Sequence, residues 1–281
     1  MNKTINEKYE LLKHNLKKLD KAIVAYSGGV DSTFLLKVAV EALGSENVLA
    51  CIGISSSLST IQYKRAIDFA KLIGAKVEEV KVQEIYDADY SVNSPDRCFH
   101  CKSHLYSVLR EIANKADFQN IICGSNFDDK DDFRPGNLAA DIRRILSPLM
   151  DAEFTKDEIR QMSRTLDLPT SDLPASPCLA SRITYGLKIT RQRLKQVEEA
   201  EDFIRELGFV EFRVRHHDTI ARIEVRSEDF NKLISDEIRL KIIDKMKSIG
   251  FKFVTIDLQG FRSGSLNETL TDSQKQISTK I

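Results

Sequence analysis

Ala22-Ile23-Val24-Ala25-Tyr26-Ser27-Gly28-Gly29-Val30-Asp31-Ser32 is the stretch on which the reading turns. The apolar block Ala22–Tyr26 reads as a buried strand, and Ser32–Leu43 as the helix that follows it. Between them two glycines let the backbone turn tightly and bring its N–H groups to an anion with no side chain in the way. Ser32 is placed to cap the helix, whose N-terminus favours negative charge. Asp31 beside a phosphate calls for an intervening cation, and hard carboxylate oxygens suit Mg²⁺. A glycine pair and a serine cap also occur in ordinary strand-to-helix turns. The whole hexapeptide Ser27–Ser32 after a buried strand is far more specific. A Walker loop needs a Lys-Ser/Thr pair after its last glycine, and none is present.

Outward from this loop, short apolar runs alternate with amphipathic stretches. Val48–Ile54 reads as a strand, Ser59–Ile73 as a helix, Lys76–Val82 as a strand, His100–Ala113 as a helix and Ile121–Cys123 as a strand. This rhythm predicts an α/β fold with a doubly wound, mostly parallel sheet, helices on both faces and ligands at the carboxyl ends of the strands. Pro169, Pro174 and Pro177 mark a linker or ordered loop. Beyond it the order changes to α-β-β-α-β: a helix over Thr190–Leu207 ended by Gly208, strands Phe209–Arg215 and Ile220–Val225, a helix over Glu228–Ile249, and a strand Phe253–Leu258. That order suits a smaller α+β domain. The expected division is a nucleotide domain over 1–170, a cysteine loop with a C-terminal substrate or oligomerisation domain over 171–266, and a polar tail over 267–281 expected to be disordered.

The 281 residues carry 42 Lys plus Arg against 42 Asp plus Glu, and a net charge of zero argues against a chain built mainly to hold nucleic-acid backbone. The N-terminal residues 1–20 are charged throughout and contain no signal-peptide core, and no run approaches the roughly 20 apolar residues of a membrane span. Five cysteines without an export signal point to a reducing, cytoplasmic setting.

Gly124-Ser125-Asn126 follows the fourth strand, where the sheet would meet a nucleotide. Among the acids after it (Asp128, Asp129, Asp131, Asp132), which also suit a solvated loop, Asp128 joins Asn126 as a nucleotide candidate. Arg97-Cys98-Phe99-His100-Cys101-Lys102 opens a helix, so Cys98 and Cys101 share one face. A helix N-terminus with flanking cations favours the thiolate. For that pair zinc, redox and coincidence all stay open, with His100 or His104 as a fourth zinc ligand. Cys51 and Cys123 fit buried strand positions. Cys178, in Pro174-Ala175-Ser176-Pro177-Cys178-Leu179-Ala180-Ser181-Arg182, sits on a proline-stiffened loop beside Ser181 and Arg182, where an anionic substrate could meet it. Arg213, Arg215, His216, His217, Arg222 and Arg226 gather about a hairpin with Glu224 among them. The choice there is between a solvated strand face and a pocket for phosphate and carboxylates, which arginine forks grip bidentately.

The hexapeptide Ser27–Ser32 resembles the SGGxDS signature of the PP-loop ATP pyrophosphatases, which implies attack at the α-phosphate, adenylation of the substrate and release of pyrophosphate. Together with Arg97–Lys102 and Pro174–Ile183, it resembles the LarE family of ATP-dependent sulfur-insertion enzymes of nickel-pincer cofactor synthesis, over about residues 5–265. The resemblance implies an enzyme that adenylates the carboxylates of a pyridinium dicarboxylate mononucleotide and converts them to thiocarboxylates. ATP and Mg²⁺ are implied at Ser27, Gly28, Gly29, Val30, Asp31, Ser32, Asn126 and Asp128. Cys178, Asp31 and Lys102 are implied as catalytic, and Ser181, Arg182, Arg213, Arg215 and Glu224 as substrate-binding. Some members carry only the cysteine matching Cys178 and sacrifice it; others hold a [4Fe-4S] cluster on three. With Cys98, Cys101 and Cys178 this chain matches the cluster type, an arrangement that leaves one iron open to a non-protein ligand. The same resemblance implies a homo-oligomer, a hexamer built of dimers, acting on a small molecule away from any membrane, with the sulfide donor unspecified. A tRNA thiolase or an ammonia-dependent ligase would use the same loop, and a nucleotide- or iron–sulfur-binding module without turnover would release no pyrophosphate.

Overall fold

Ala22, Ile23 and Val24 are fully buried, and they put β1 (Ala22–Ala25) at the inside of a four-stranded parallel sheet. The order is β3-β2-β1-β4, with β2 over Val48–Ile54, β3 over Lys76–Lys81 and β4 over Asn120–Cys123. Ala22 stands opposite Val48 on one side and Asn120 on the other, and Leu49 stands opposite Lys76. A parallel neighbour requires a crossover, and helices supply it: α2 (Val30–Leu43), α3 (Thr60–Ile73) and α4 (Arg97–Lys115) follow β1, β2 and β3 in turn. The computed structural model describes residues 3–130, 135–174 and 176–277.

Alternate strand residues point to opposite faces, so the sheet builds two cores. Ala22, Val24, Ala50 and Ile52 pack with α1 (Ile5–Lys17), α2 and α3. Phe34 of α2 meets Phe154 edge-on at 5.4 Å between centroids. Ile23, Cys51, Ile121 and Cys123 pack instead with Tyr106, Leu109 and Ala113 of α4 and with Ala139 and Ala140 of α5 (Pro135–Ile142). Covered on both faces, β1, β2 and β4 read as continuous apolar runs, whereas the edge strand β3 is largely exposed. The last helix of this unit, α6 (Lys156–Thr165), starts at a capping box in which Thr155 and Glu158 satisfy each other's backbone N–H groups. Arg160 then donates to the carbonyls of Ser171 at 2.6 Å and Leu173 at 2.8 Å, which orders the proline-marked loop.

The chain divides into two units by its contacts: residues 1–84, 98–176 and 278–281 form one, and 85–97 with 177–277 form the other. The second holds a three-stranded sheet of order β5-β6-β7. β5 (Phe212–His217) and β6 (Ile220–Val225) form an antiparallel hairpin, and β7 (Phe253–Ile256) runs parallel to β6. The hairpin turn is Asp218-Thr219, with Asp218 at φ 56°. Helices α7 (Arg191–Glu206) and α8 (Asp236–Ile249) cover this sheet through Ala200, Ile204, Ile242 and Met246. The segment 85–97 is tied in by Asn93, whose amide donates to the carbonyls of Ile183, Thr184 and Leu187 and accepts from Arg97.

Three local expectations fail for physical reasons. The strand expected from Phe209 begins only at Phe212: Gly208 turns the chain at φ 80°, and Phe209 drops into the core while Val210 stays exposed. The single helix expected over Glu228–Ile249 is broken at Ser235, whose ψ of 142° leaves the helical region before Asp236 restarts it. The tail expected to be disordered from Asn267 carries a 3₁₀ turn over Ser265–Thr269 and a short helix over Asp272–Ile277. Leu266 and Leu270 are buried there, two anchors that a polar average composition conceals.

Candidate active site

The loop between β1 and α2 takes the shape its glycines allow. Gly28 lies at φ 73°, and a Cβ on it would stand 2.6 Å from the Ala66 Cβ of α3. Gly29, not Ser32, is the N-cap of α2, and it carries no side-chain cap. Ser32 lies one turn in: its hydroxyl donates to the Gly29 carbonyl at 3.2 Å and sits 3.0 Å from the Ser27 hydroxyl. The expected serine cap is therefore corrected, because Ser32 ties the loop to itself and leaves the first N–H groups of α2 without a side-chain acceptor. That is the arrangement an anion site at a helix N-terminus needs. Gly124, at the end of β4, lets the next strand's loop approach: a Cβ there would stand 2.9 Å from the Ser32 backbone nitrogen.

Asp31 and the turn after β4 are linked by one residue. Lys156, at the start of α6, reaches Asp31 Oδ2 with its Nζ at 2.5 Å, while its backbone N–H donates to Asp128 Oδ2 at 2.7 Å. Asp31 Oδ1 is buried and has no hydrogen-bond partner. Asn126, almost wholly buried, accepts from the Asp128 N–H at 3.0 Å, and its own N–H donates to Asp129 Oδ2. Asp131 and Asp132 lie outside the described residues. Lys102, on α4, lies along Gly136 of α5: a Cβ there would stand 2.7 Å from Lys102 Cδ and 3.1 Å from Nζ. The missing side chain at 136 is the groove that Lys102 occupies.

In the second unit Arg182 and Arg215 organise the cysteine loop. Arg182 pairs bidentately with Glu201 of α7 at 2.9 and 3.0 Å, and its Nη1 donates to the carbonyls of Pro177 and Cys178 and to the Ser181 hydroxyl. Arg215 pairs bidentately with Glu224 at 2.9 Å through both nitrogens and donates to the Ser181 carbonyl and the Ser265 hydroxyl. Arg213 is half-buried, with its guanidinium 5.0 Å from the Phe261 ring. Burial first, and the neighbouring Arg182 next, pull its pKa down to about 10, so it remains charged at neutral pH. The guanidiniums of Arg182, Arg213 and Arg215 gather here, and arginine forks suit an anion.

The rest of the basic group does other work. His216 is buried against Phe251, with Nε2 3.1 Å from Gln196; burial lowers its pKa to about 4. Arg226 bonds the exposed Glu228 and the half-buried Asp229. Arg222 braces Glu224 at 2.9 Å.

Cys98 and Cys178 are exposed and Cys101 is half-exposed, whereas Cys51 and Cys123 are buried in their strands as thiols. Desolvation pushes Cys51 up to about 12, the behaviour of an inert core thiol. Among the described residues no group of three or more His, Cys, Asp or Glu side chains is gathered as a metal site.

Comparison with known proteins decides the family. The chain matches the family described as NAD synthase over residues 4–178, more than half its length. It belongs to the NAD synthase family. This family has the PP-loop architecture, so the chain is an ATP-dependent enzyme for which ATP and Mg²⁺ are implied. Within it, the chain is 36% identical to a pyridinium-3,5-bisthiocarboxylic acid mononucleotide synthase of Lactiplantibacillus plantarum, covering 96% of this chain and 98% of that protein. It is 40% identical to an uncharacterised protein of Synechocystis sp., covering 95% and 99%, and 33% identical to one of Methanocaldococcus jannaschii, covering 90% and 96%. The LarE resemblance of the sequence motifs is thereby borne out along nearly the whole chain. Among the described residues, no helix is long and apolar enough to cross a membrane.

Two site-shaping residues of this family member escaped the motif reading, and each left a signal. Buried positions 194, 197, 201 and 204 of α7 recur at helical spacing, so Glu201 is a carboxylate on an apolar stripe, where a partner is obligatory. Lys156 is a cation in the first turn of a helix, where the dipole disfavours positive charge, and a carboxylate must hold it there.

Proposed function

We propose that this chain is an ATP-dependent sulfur transferase that converts the carboxylates of pyridinium-3,5-biscarboxylic acid mononucleotide to thiocarboxylates. What carries the reading is the end-to-end similarity to the bisthiocarboxylic acid mononucleotide synthase, in a chain that keeps the Ser27–Ser32 loop. A substrate carboxylate oxygen attacks the α-phosphorus of ATP, and the bond to the β-phosphate oxygen breaks to release pyrophosphate. A sulfide then attacks the acyl carbon and AMP leaves with the carboxyl oxygen. Adenylation is the sensible first step because a carboxylate is a poor electrophile and AMP a good leaving group.

In this reading the uncapped start of α2 and the N–H groups of Gly28 and Gly29 receive the phosphates. Asp31 holds Mg²⁺, a role that its buried, unpartnered Oδ1 supports. Asn126 and Asp128 shape the nucleotide side, and Lys102 in its groove over Gly136 lends charge to the developing phosphate anion. In the second unit Ser181 and Arg213 bind the mononucleotide's anionic groups, while Arg182 and Arg215, with Glu224, hold the loop that carries Ser181. Cys98, Cys101 and Cys178 are the thiols open to solvent, and they suit a [4Fe-4S] cluster with one open iron. When bound, that group supplies the sulfur. The setting is the cytoplasm, where such thiols stay reduced.

An ammonia-dependent ligase would account for the loop but would leave Cys178 and the basic residues around it without a task. The test supplies ATP, Mg²⁺, the dicarboxylate mononucleotide and, in parallel, sulfide or ammonia to anaerobically prepared protein. AMP, pyrophosphate and a thiocarboxylate are expected. ADP with orthophosphate would overturn the class of chemistry, and an amide formed from ammonia would replace sulfur transfer with ligation.

A further inference from the structure

We propose that Lys156 is a built-in counter-ion for Asp31, occupying the carboxylate in the nucleotide-free chain and surrendering it to the divalent cation that arrives with ATP. The inference rests on the reading of Asp31 as the metal ligand and adds the residue that competes for it.

Three observations converge on Lys156. Its Nζ lies 2.5 Å from Asp31 Oδ2, a charge-assisted contact at the short end of the range. The ammonium stands on the first turn of α6, the positive end of the helix dipole, where a cation is disfavoured. It stays there because Asp31 compensates it. The same residue's backbone N–H holds Asp128 Oδ2 at 2.7 Å, so the peptide at 156 is fixed while the four-carbon side chain is free to swing. The other oxygen of Asp31, Oδ1, is buried and without a partner, so the carboxylate is only half used.

A divalent cation taken up by the free Oδ1 would stand a few ångströms from the ammonium on Oδ2, and the like charges repel. Metal entry therefore weakens the Nζ contact and favours its release. The released ammonium, anchored by its backbone beside the loop, is then placed to follow the negative charge that enters with the metal: the oxygens of a triphosphate or of the departing pyrophosphate. In the absence of nucleotide the lysine keeps a stray divalent ion from settling on the loop, and the carboxylate stays poised but neutralised.

The test measures Mn²⁺ alone binding to nucleotide-free protein, with free Mn²⁺ followed by its electron paramagnetic resonance signal. Both side chains of the pair are about a third exposed or less, so losing the competing charge-assisted bond is worth the lower part of its range, about tenfold in affinity. Lys156→Met, which keeps the stem, should bind Mn²⁺ about tenfold more tightly than the parent. Lys156→Arg, which keeps the charge, should bind like the parent. Asp31→Asn should lose the site. If Asp31→Asn loses binding and Lys156→Met binds no tighter, the counter-ion role falls and the metal-ligand reading stands. Should Lys156→Arg tighten binding as much as Lys156→Met, the effect is not one of charge and the proposal falls. If Asp31→Asn binds as the parent does, Asp31 is not the ligand and both fall. Unfolding midpoints of each variant in EDTA confirm that the comparison is among folded chains.

Discussion

Replacing Glu201 with Ala removes the carboxylate on which the cysteine loop's scaffold depends. In the native unit the Arg182 and Glu201 side chains are only 4% and 5% exposed, so solvent cannot substitute for either partner. Glu201 accepts both guanidinium nitrogens and also the Val214 N–H at 3.1 Å. Its loss strands a buried cation and a buried backbone donor on β5. Breaking a buried pair from one side costs about 3–5 kcal/mol. At the roughly 2–4 °C per kcal/mol that suits units of this size, the midpoint should fall by about 6–20 °C. Glu201→Gln keeps an acceptor for Arg182 and should cost about 1.5–3 kcal/mol, the worth of a hydrogen bond to a charged group. Arg226→Ala is the control: Arg226 is 36% exposed and its partner Glu228 68%, so solvent can replace the lost pair and the effect should be small beside that of Glu201→Ala. Urea unfolding of the intact chain, followed by fluorescence of the tyrosines and by far-ultraviolet dichroism, measures all three. If Glu201→Ala lies within about 1 kcal/mol of Arg226→Ala, the pair does not hold the loop.

Gly136→Ala places a methyl where Lys102 lies while improving the propensity of α5 by up to about 1 kcal/mol. The unfolding midpoint should hold or rise while turnover falls by about a hundredfold, the usual cost of a misplaced group, and unchanged turnover would show that Lys102 does not act from this position. His216 is held neutral by burial, its pKa depressed from 6.5 to about 4. The unfolded chain therefore takes up the proton first as pH falls, and stability should drop by up to about 3 kcal/mol between pH 6.5 and pH 4. A His216→Gln variant should lose that part of the slope, and an unchanged pH profile would exclude the histidine as its source. If three thiols hold a cluster, Cys98→Ala, Cys101→Ala and Cys178→Ala should each lose iron and activity together, and intact-mass analysis after turnover should find the parent polypeptide unchanged. A chain lighter by the mass of H₂S, with full activity in Cys98→Ala, would establish sacrifice of Cys178 instead.

How much of this was legible beforehand depended on how far apart the interacting residues lie in sequence. The β1 block, the glycine pair and the alternation of apolar runs with amphipathic stretches are local signals, and they located β1, β2, α2 and α3 to within a few residues. Ser32 misled because a serine just after two glycines looks like a cap, while its hydroxyl prefers the Ser27 and Gly29 groups inside the loop. Lys156 and Asp31 are 125 residues apart, and neither carries a local mark of the other. The tail misled because its polar composition hides Leu270, which is buried beside Leu266 just ahead of the tail and folds the segment down. The proposed anion pocket at the basic hairpin was only half visible: residue types gave the charge, but not that Arg215 and Arg222 both turn to Glu224.

The segment 85–97 belongs to the second unit although it interrupts the first about half-way along that unit's residues. Its anchors are late in synthesis: Ser91 accepts from the Ile189 N–H, and Asn93 accepts from Gly186 and binds three carbonyls between 183 and 187. A ribosome must therefore emit some ninety further residues before this stretch finds its partners, and until then it hangs as an unfinished loop on a nearly complete sheet. Cutting the gene at 176 would release a fragment in which the Asn93 amide has lost the three carbonyls of 183, 184 and 187 that it binds. A cleaner dissection would excise 85–97 as well, bridge its ends, and graft the excised peptide onto the second fragment.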